Sequence, residues 1–267
     1  MKVDNKVIVV TGGGNGIGRE LVLLLLKKGA KVAAVDINEA ALLETVKLAG
    51  DKQINLSTHI VNIANREEVE ALPDKVIAAH GTVDGLINNA GIIQKFVHVN
   101  ELEYKEIERV ININLYGVIF MTKAFLPHLL QRPEGHIVNI SSMGGFLPVP
   151  GQTLYGASKA AVKLFTEGLN SELLDTNVRV TVVFPGAIGT NIAANSGVGR
   201  DMGEAKDSPI KMTFPSVAAQ TIVDGMEKNS YRVLIGSDAK MMDFLSRLNP
   251  KQAAKLIYKQ MQSIVSN

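Results

Sequence analysis

A tyrosine and a lysine stand four residues apart in "YGASK", at the end of the stretch "SSMGGFLPVPGQTLYGASK" from Ser141 to Lys159. On a helix, residues at i and i+4 share one face, so Tyr155 and Lys159 can lie close together. A free tyrosine has a pKa near ~10, and a neighbouring ammonium lowers the pKa of a phenol. The pair could exchange a proton with an alcohol or carbonyl oxygen near neutral pH, although the same spacing also occurs on ordinary solvated helix faces.

A glycine-rich turn near the N-terminus forms a second candidate site. The segment "TGGGNGIG" (residues 11–18) stands between the apolar strand pattern "KVIVVTG" and a helical pattern that begins near Ile17. Glycines let the backbone approach a pyrophosphate, whose charge is favoured by the N-terminus of the next helix. A dinucleotide phosphate site is therefore predicted here, and an ordinary glycine-rich βα turn is the alternative.

Asp36 indicates which dinucleotide this site prefers. It ends the second strand pattern, 18 residues after Gly18, where a carboxylate can accept hydrogen bonds from the adenosine ribose 2′-hydroxyl. A carboxylate would repel a 2′-phosphate, and none of Ile37, Asn38 and Asn15 supplies a cation to attract one. NAD is therefore predicted over NADP, unless Asp36 merely caps the following helix.

Short β-branched runs alternate with longer helical patterns along the whole chain. Strands are predicted at residues 6–12, 31–37, 54–63, 83–91, 135–142, 178–186 and 231–236. Helices are predicted at residues 17–28, 38–48, 66–80, 102–130, 153–174 and from 215 onward, with a bend at Pro127. This alternation predicts an α/β fold, a single-domain Rossmann-like doubly wound parallel sheet of about seven strands with helices on both faces.

Residues 1–267 show no internal repeat or linker, so one domain is predicted. A polar stretch around residues 190–215 predicts a substrate lid, to which Gly197, Gly199 and Gly203 give mobility. Residues 238–265 form an amphipathic helical tail that could cover the site, join an oligomer interface or touch a membrane surface. Covering or packing is favoured, because the tail lacks a strong basic face and Pro250 interrupts it.

Composition excludes several classes of protein. The 267 residues are 46% hydrophobic and 20% charged, and the scattered charges sum to only +2, which gives no reason to expect a nucleic-acid partner. The lack of cysteine excludes disulfides, thiol catalysis and Cys-ligated zinc, and no metal site is predicted. The longest strongly apolar run, "LVLLLL", is far shorter than the roughly 20 residues of a membrane span, so we expect a cytoplasmic protein.

In their order along the chain, these motifs resemble the short-chain dehydrogenase/reductase family. The turn "TGGGNGIG" matches T-G-x-x-x-G-x-G, and "NNAG" (Asn88 to Gly91) follows the fourth predicted strand. Asn114 in "ININLYG" matches the asparagine of the long helix, and "IVNISS" with "YGASK" supplies serine, tyrosine and lysine. "PGAIGT" matches P-G-x-x-x-T after the sixth strand.

The resemblance implies a catalytic role for four residues. Ser142, which stands 13 residues before Tyr155, would hydrogen-bond the substrate oxygen, and Ser141 would be its structural neighbour. Tyr155 would be the general acid/base. Lys159 would lower the pKa of Tyr155 and hold the nicotinamide ribose. Asn114 would connect Lys159 to solvent through a backbone-held water.

The resemblance also implies a set of residues that contact the dinucleotide. They are Thr11, Gly12, Asn15, Gly16, Ile17, Gly18, Asp36, Ile37, Asn62, Ile63, Asn89, Ala90, Gly91, Tyr155, Lys159, Pro185, Gly186, Ile188 and Thr190. Asn62 departs from the aspartate that the family often carries for the adenine amino group. Its amide oxygen can still accept that hydrogen bond without the charge.

The implied activity is that of an NAD(P)-dependent alcohol dehydrogenase or ketone reductase acting on CH–OH donors, with a small-molecule alcohol or ketone as substrate. Seven apolar residues in the segments expected to border the substrate predict a nonpolar one, unless they are ordinary packing residues: Ile93, Phe96, Met143, Phe146, Leu147, Val149 and Ile192. A non-catalytic dinucleotide-binding regulator and a same-fold epimerase or dehydratase are the alternatives. A homodimer or homotetramer is implied by the resemblance alone.

Overall fold

Valine and isoleucine dominate the strands, and the central strands lie buried between two layers of helices. The structure, a computed structural model, describes residues 1–198 and 212–265. Its strands are β1 (Val7–Thr11), β2 (Lys31–Asp36), β3 (Leu56–Ile60), β4 (Gly85–Asn88), β5 (Gly135–Ile140), β6 (Val178–Pro185) and β7 (Arg232–Ile235). All of them pair in parallel in one sheet, in the order β3-β2-β1-β4-β5-β6-β7.

The order of the strands reverses between β1 and β4. The chain moves outward from β1 to β2 and β3, then returns to place β4 on the other side of β1. In open parallel sheets, ligands bind at the carboxyl ends of the strands beside such a reversal. The predicted doubly wound α/β fold is confirmed, and it places the candidate site above β1 and β4.

The helices occupy both faces of the sheet. They are α1 (Gly16–Lys27), α2 (Glu39–Ala49), α3 (Arg66–Glu70), α4 (Leu72–His80), α5 (Tyr104–Ile111), α6 (Gly117–Leu130), α7 (Thr153–Glu172), α8 (Ile192–Asn195), α9 (Pro215–Glu227), α10 (Ser237–Leu248) and α11 (Pro250–Val265). Alternate residues of β1 enter different cores, as the two-residue period of a strand requires. Ile8 and Val10 pack in the cluster that includes α1 and α9, whereas Val7 and Val9 pack in the cluster that includes α6.

Three predicted elements contain or adjoin breaks or turns that the sequence did not predict. The helix predicted at 66–80 is divided into α3 and α4, which meet at Ala71, just before Pro73 in the first turn of α4, where its missing N–H is tolerated. The strand predicted at 54–63 is limited to β3, and a 3₁₀ turn, Gly50–Asn55, precedes it. The helix predicted at 102–130 contains a wider π turn, Asn112–Tyr116, between α5 and α6.

The C-terminal tail packs against the segment that follows β5. Met242 of α10, and Ala253, Ile257 and Met261 of α11, form a third apolar cluster with Leu147. The tail therefore packs over this segment. Of the predicted lid, residues 199–211, which include Gly199 and Gly203, lie outside the described residues.

The helical stretch Tyr104–Leu130 is long and apolar enough to cross a membrane by length and composition alone, with a mean hydropathy of 1.3 in its most apolar window. In this structure Met121, Phe125 and Leu129 are fully buried and pack with the sheet in the second cluster. One face of the stretch therefore packs in the core of the fold. We find no clear membrane span among the residues that the structure describes.

Candidate active site

The glycine-rich turn connects β1 to α1 over the carboxyl edge of the sheet. Gly12 has a φ of +70°, a left-handed conformation that glycine adopts without strain. The helix then passes so close that a Cβ atom on Gly18 would lie 1.9 Å from the carbonyl oxygen of Gly12. Asn15 caps α1 by accepting a hydrogen bond from the N–H of Gly16 at 3.2 Å. The turn thus presents bare backbone at a helix N-terminus, which suits a pyrophosphate.

The carboxylate of Asp36, at the end of β2, bonds to the glycine-rich turn. One carboxylate oxygen accepts from the N–H of Gly14 at 3.0 Å, and the other accepts from the N–H of Asn38 at 3.0 Å. The side chain that caps α2 is Asn38, which accepts from the N–H of Ala41 at 3.0 Å. The alternative role of Asp36 as the helix cap is therefore wrong, and its carboxylate faces the cavity from the end of β2.

Thr11 ties the end of β1 to the segment after β4. Its hydroxyl accepts from the N–H groups of Asn89 and Ala90, both at 3.0 Å. The Asn89 side chain donates in return to the carbonyl of Thr11 at 3.0 Å. Thr11 is buried, and it positions the "NNAG" segment from below without lining the cavity itself.

Tyr155 and Lys159 lie one turn apart on α7, near its N-terminus. The Lys159 ammonium donates to the carbonyl of Ile140, the last residue of β5, at 3.0 Å. Ser141 donates to the carbonyl of Lys159 at 2.7 Å, in agreement with its predicted structural role. Ser142 caps the short turn after β5 by accepting from the N–H of Gly144 at 3.0 Å. These bonds fix α7 against the end of β5.

Burial changes the acidity of both catalytic candidates. It lowers the pKa of Lys159 from its usual 10.5 to about 8, because the charged ammonium loses hydration. Burial also raises the pKa of the Tyr155 phenol, and a hydrogen bond with Ser142 opposes that shift. The expected lowering of the Tyr155 pKa is thus not produced by the protein groups alone.

Asn114 occupies the π turn and is fully buried. Its side chain accepts from the N–H of Ile92 at 2.9 Å and donates to the carbonyl of the same residue at 2.9 Å. It also donates to Ser158 of α7 at 3.0 Å. A Cβ atom on Gly91 would lie 3.1 Å from the Lys159 ammonium and 3.2 Å from the Asn114 amide oxygen, so these groups meet beside Gly91.

A cavity of about 420 Å³ extends over the carboxyl edge of the sheet. All of the predicted site residues line it except Thr11, Gly18 and Asn114, which lie beneath its wall. Nine lining residues were not predicted as site residues: Val35, Asn38, Ala41, Val61, Ile92, Ile113, Ile140, Ser141 and Asn195. All except Ala41 and Asn195 lie next to a predicted residue or within a predicted motif, and this adjacency in sequence could have identified them. Among the described residues, no group of three His, Asp or Glu side chains is placed to hold a metal.

The predicted apolar substrate wall is only partly present. Ile93 and Ile192 line the cavity. The other five residues pack with α10 and α11 in the third cluster: Phe96, Met143, Phe146, Leu147 and Val149. The interpretation of these five as substrate contacts is corrected, because the C-terminal tail already covers them.

A doubly wound sheet with a glycine-rich turn and a Ser–Tyr–Lys group at its carboxyl edge defines a dinucleotide-binding oxidoreductase. A family model described as short chain dehydrogenase matches residues 6–200. SadH of Mycobacterium tuberculosis, a protein provisionally named as an oxidoreductase, is 42% identical over 261 residues, which cover 95% of this chain and 94% of SadH. The chain belongs to the short-chain dehydrogenase/reductase family.

Solved structures agree with this assignment. A short-chain dehydrogenase/reductase from Burkholderia phymatum in complex with NAD superposes with a TM-score of 0.82 and 25% identity, covering 93% of this chain and 96% of that one. The structure of ElxO with NADP bound has a TM-score of 0.80 and 26% identity, covering 89% and 99% respectively. These neighbours support a nicotinamide dinucleotide cofactor and do not distinguish NAD from NADP.

Proposed function

We propose that the chain is an NAD-dependent oxidoreductase that transfers a hydride between nicotinamide and a secondary alcohol or ketone, with Tyr155 as general acid/base. The observation that carries this proposal is the shared cavity, lined by Ser142, Tyr155 and Lys159 together with Gly12 and Asp36. The residues fit the cofactor, because a bare glycine turn faces the cavity at the N-terminus of α1. Bound there, the nicotinamide supplies the hydride chemistry, and the protein supplies orientation and a proton path.

The proton path follows from the side chains. Ser142 can hydrogen-bond the substrate oxygen while Tyr155 gives that oxygen a proton or takes one from it. Lys159 lies one turn away, and its positive charge favours the phenolate when Tyr155 has lost its proton. Asn114, held in the π turn, keeps the Gly91 segment against Lys159. The proposed catalytic group is therefore Asn114, Ser142, Tyr155 and Lys159, with Asn114 acting through Lys159.

The preference for NAD rests on charge. Asp36 and Lys159 are the charged residues among the described residues that line the cavity. Asp36 stands at the end of β2, where a 2′-phosphate would meet its carboxylate. The guanidinium of Arg19 lies near the same turn, but it donates to the carbonyl of Gly14 at 2.6 Å and pairs with Glu44 at 2.7 Å. Apart from Lys159, which donates to the carbonyl of Ile140 and lies beside Gly91, the described lining residues include no cation to offset Asp36.

The cavity lining supports a nonpolar substrate. Beyond the motif residues, its walls are mainly isoleucines: Ile92, Ile93, Ile113, Ile140 and Ile192. Such walls favour an apolar alcohol or ketone over a phosphorylated one, whose charge would be desolvated without a partner. The homodimeric or homotetrameric assembly, the cytoplasmic location and the single domain over residues 1–267 stay predictions.

A panel of secondary alcohols and ketones, monitored by NADH absorbance, tests the proposal. Tyr155→Phe is expected to reduce turnover at least ~100-fold, the usual contribution of a general acid/base, while NAD affinity changes little. Tyr104→Phe is the matched control, because Tyr104 is 85% exposed at the start of α5. Near-normal turnover by Tyr155→Phe would refute the assigned role. A cavity that binds NAD but turns over no substrate would favour the regulator.

A further inference from the structure

Gln94 is a fully buried amide that the assigned chemistry does not use. Its side-chain oxygen accepts from the N–H groups of Leu154 and Tyr155, at 2.8 and 2.9 Å. Its side-chain nitrogen donates to the carbonyl of Gly151 at 3.0 Å. Its main-chain carbonyl accepts from the side chain of Gln152 at 2.8 Å. The Gln94 side chain thus bonds both to Gly151, just before α7, and to the first turn of α7 itself.

The N-terminus of α7 depends on this contact. The first amides of a helix have no partner within the helix, and a side-chain oxygen just before the helix usually accepts from them. In α7 the residue at that position, Gln152, makes no such bond. Gln94 supplies the missing acceptor from about 60 residues earlier in the chain, and one of its two donors is the backbone N–H of Tyr155 itself.

Gln94 is also the last residue of a short segment, residues 91–94, in which each residue contacts a different part of the site. Gly91 packs beside the Lys159 ammonium, and both backbone groups of Ile92 bond to Asn114. The N–H of Ile93 donates to Ser196, just after α8, at 3.0 Å. Gln94 then bonds to the first turn of α7. Residues 91–94 therefore connect the cofactor side of the cavity directly to the backbone of the catalytic tyrosine.

We propose that Gln94 is a positioning residue, which fixes the Tyr155 backbone relative to the cofactor-binding segment through the paired donor and acceptor of its amide. This inference rests on the proposed function, because it assigns Gln94 to the placement of that general acid/base. An apolar side chain of similar length offers neither bond. A glutamate keeps the acceptor for the two helix amides, loses the donor to Gly151, and adds a negative charge at the backbone N–H of Tyr155.

The test compares Gln94→Leu and Gln94→Glu with the wild-type protein. Three quantities are measured: NAD affinity by titration with NAD, and, at saturating cofactor, turnover in the alcohol and ketone panel and the ionisation of Tyr155. The last is followed by ultraviolet difference titration against the Tyr155→Phe protein, and it needs no substrate. Asn65→Ala is the matched control, since the Asn65 side chain caps a different helix, α3, through the N–H groups of Glu67 and Glu68 and makes no hydrogen bond to the described residues of α7.

Gln94→Leu is expected to reduce kcat at least ~10-fold through misplacement of the tyrosine, while the NAD dissociation constant stays within about threefold. In Gln94→Glu the titration midpoint of Tyr155 should rise by about half a pH unit or more, because a carboxylate bonded to the backbone N–H of Tyr155 disfavours a second negative charge on the same residue. Turnover of Gln94→Glu should recover toward wild type as the pH is raised. Asn65→Ala should keep the wild-type kcat and the wild-type Tyr155 midpoint.

Wild-type kcat in a folded Gln94→Leu protein, or an unmoved Tyr155 midpoint in Gln94→Glu, would overturn the proposal. An equal loss of kcat in Asn65→Ala would also overturn it, because the effect would then follow helix capping in general. If Gln94→Leu does not fold, the Tyr155 midpoint and the turnover of Gln94→Glu test the proposal on their own. If the wild-type protein turns over no substrate, the proposed function fails, yet the Tyr155 titration still decides the role of Gln94.

Discussion

The side chain of Asn114 binds both main-chain polar groups of Ile92, with its oxygen on the N–H and its nitrogen on the carbonyl, each at 2.9 Å. These two hydrogen bonds resemble the pair that joins two residues on neighbouring β-strands, although here they join a helical turn to the segment after β4. The π turn around Asn114 places the amide so that it can reach Ile92. A widened helical turn at a functional site is a recurring arrangement. Here it holds the floor of the cavity beside Lys159.

Replacement of Asn114 by alanine should therefore affect stability and turnover together. It leaves the partly buried N–H and carbonyl of Ile92 without their Asn114 partners, which costs about 1–3 kcal/mol of unfolding free energy. Turnover should fall at least ~10-fold, since the Gly91 segment can then move away from Lys159. Urea unfolding and NADH absorbance measure the two effects. Asn112→Ala, at an exposed position of the same turn, should change neither; equal losses in both variants would contradict the argument.

Strand ends and motif spacing predicted the cavity because a parallel sheet gathers the carboxyl ends of its strands at one edge. Gly12, Asp36 and Tyr155 are far apart in sequence, yet each follows or faces such an end. The spacing identified the right loops and could not tell which side chains face the cavity. Thr11 and Asn114, for example, support their loops from beneath.

Long-range partners account for what the sequence did not predict. Local propensity contains no signal for the π turn, which is accompanied by the tertiary bonds of Asn114 to Ile92. Gln94 was overlooked because its hydrogen-bond partners on α7 lie about 60 residues away. The apolar residue Phe96 was assigned to the substrate wall, but an apolar pattern predicts burial without naming the neighbour, which here is the C-terminal tail.

Lys159 should make stability depend on pH in the protein without dinucleotide. Burial lowers its pKa to about 8 in the folded state, against about 10.4 in an unfolded chain. Between these values the unfolded state binds more protons, so stability rises with pH. The Lys159 contribution should amount to about 2 kcal/mol from pH 8 to pH 10. The raised pKa of Tyr155 opposes it only above about pH 10.

The matched variant for this measurement is Lys159→Met, which keeps an unbranched side chain of similar length without the charge. Urea unfolding at pH 8 and pH 10 should show a smaller increase for this variant than for wild type. Parallel pH profiles of the two proteins would mean that the buried ammonium is not responsible.

Asp36→Asn should weaken the preference for NAD over NADP. The amide keeps the size of the carboxylate and one acceptor oxygen, but it removes the charge that a 2′-phosphate would meet. The NADP/NAD ratio of kcat/KM should rise about tenfold or more, which corresponds to about 1.4 kcal/mol. Asp51→Asn, an exposed change in the turn before β3, is the control and should leave the ratio unaltered. If Asp36→Asn kept the wild-type NADP/NAD ratio of kcat/KM, the charge of Asp36 would not be the cause of the preference for NAD.

Two glycine-to-alanine changes separate close packing from helix propensity. At Gly18 the added methyl would lie 1.9 Å from the carbonyl oxygen of Gly12 and 2.7 Å from the Asn89 side chain, so main chain must move. Gly18→Ala should cost about 3 kcal/mol of stability and weaken NAD binding at least ~10-fold. At Gly168, on the exposed face of α7, an added methyl meets nothing within 4 Å. Gly168→Ala should therefore gain about 0.5–1 kcal/mol and bind NAD normally, since alanine favours the helix. Calorimetry with and without NAD measures both effects, and wild-type NAD affinity in Gly18→Ala would show that the turn and α1 are packed less closely than described.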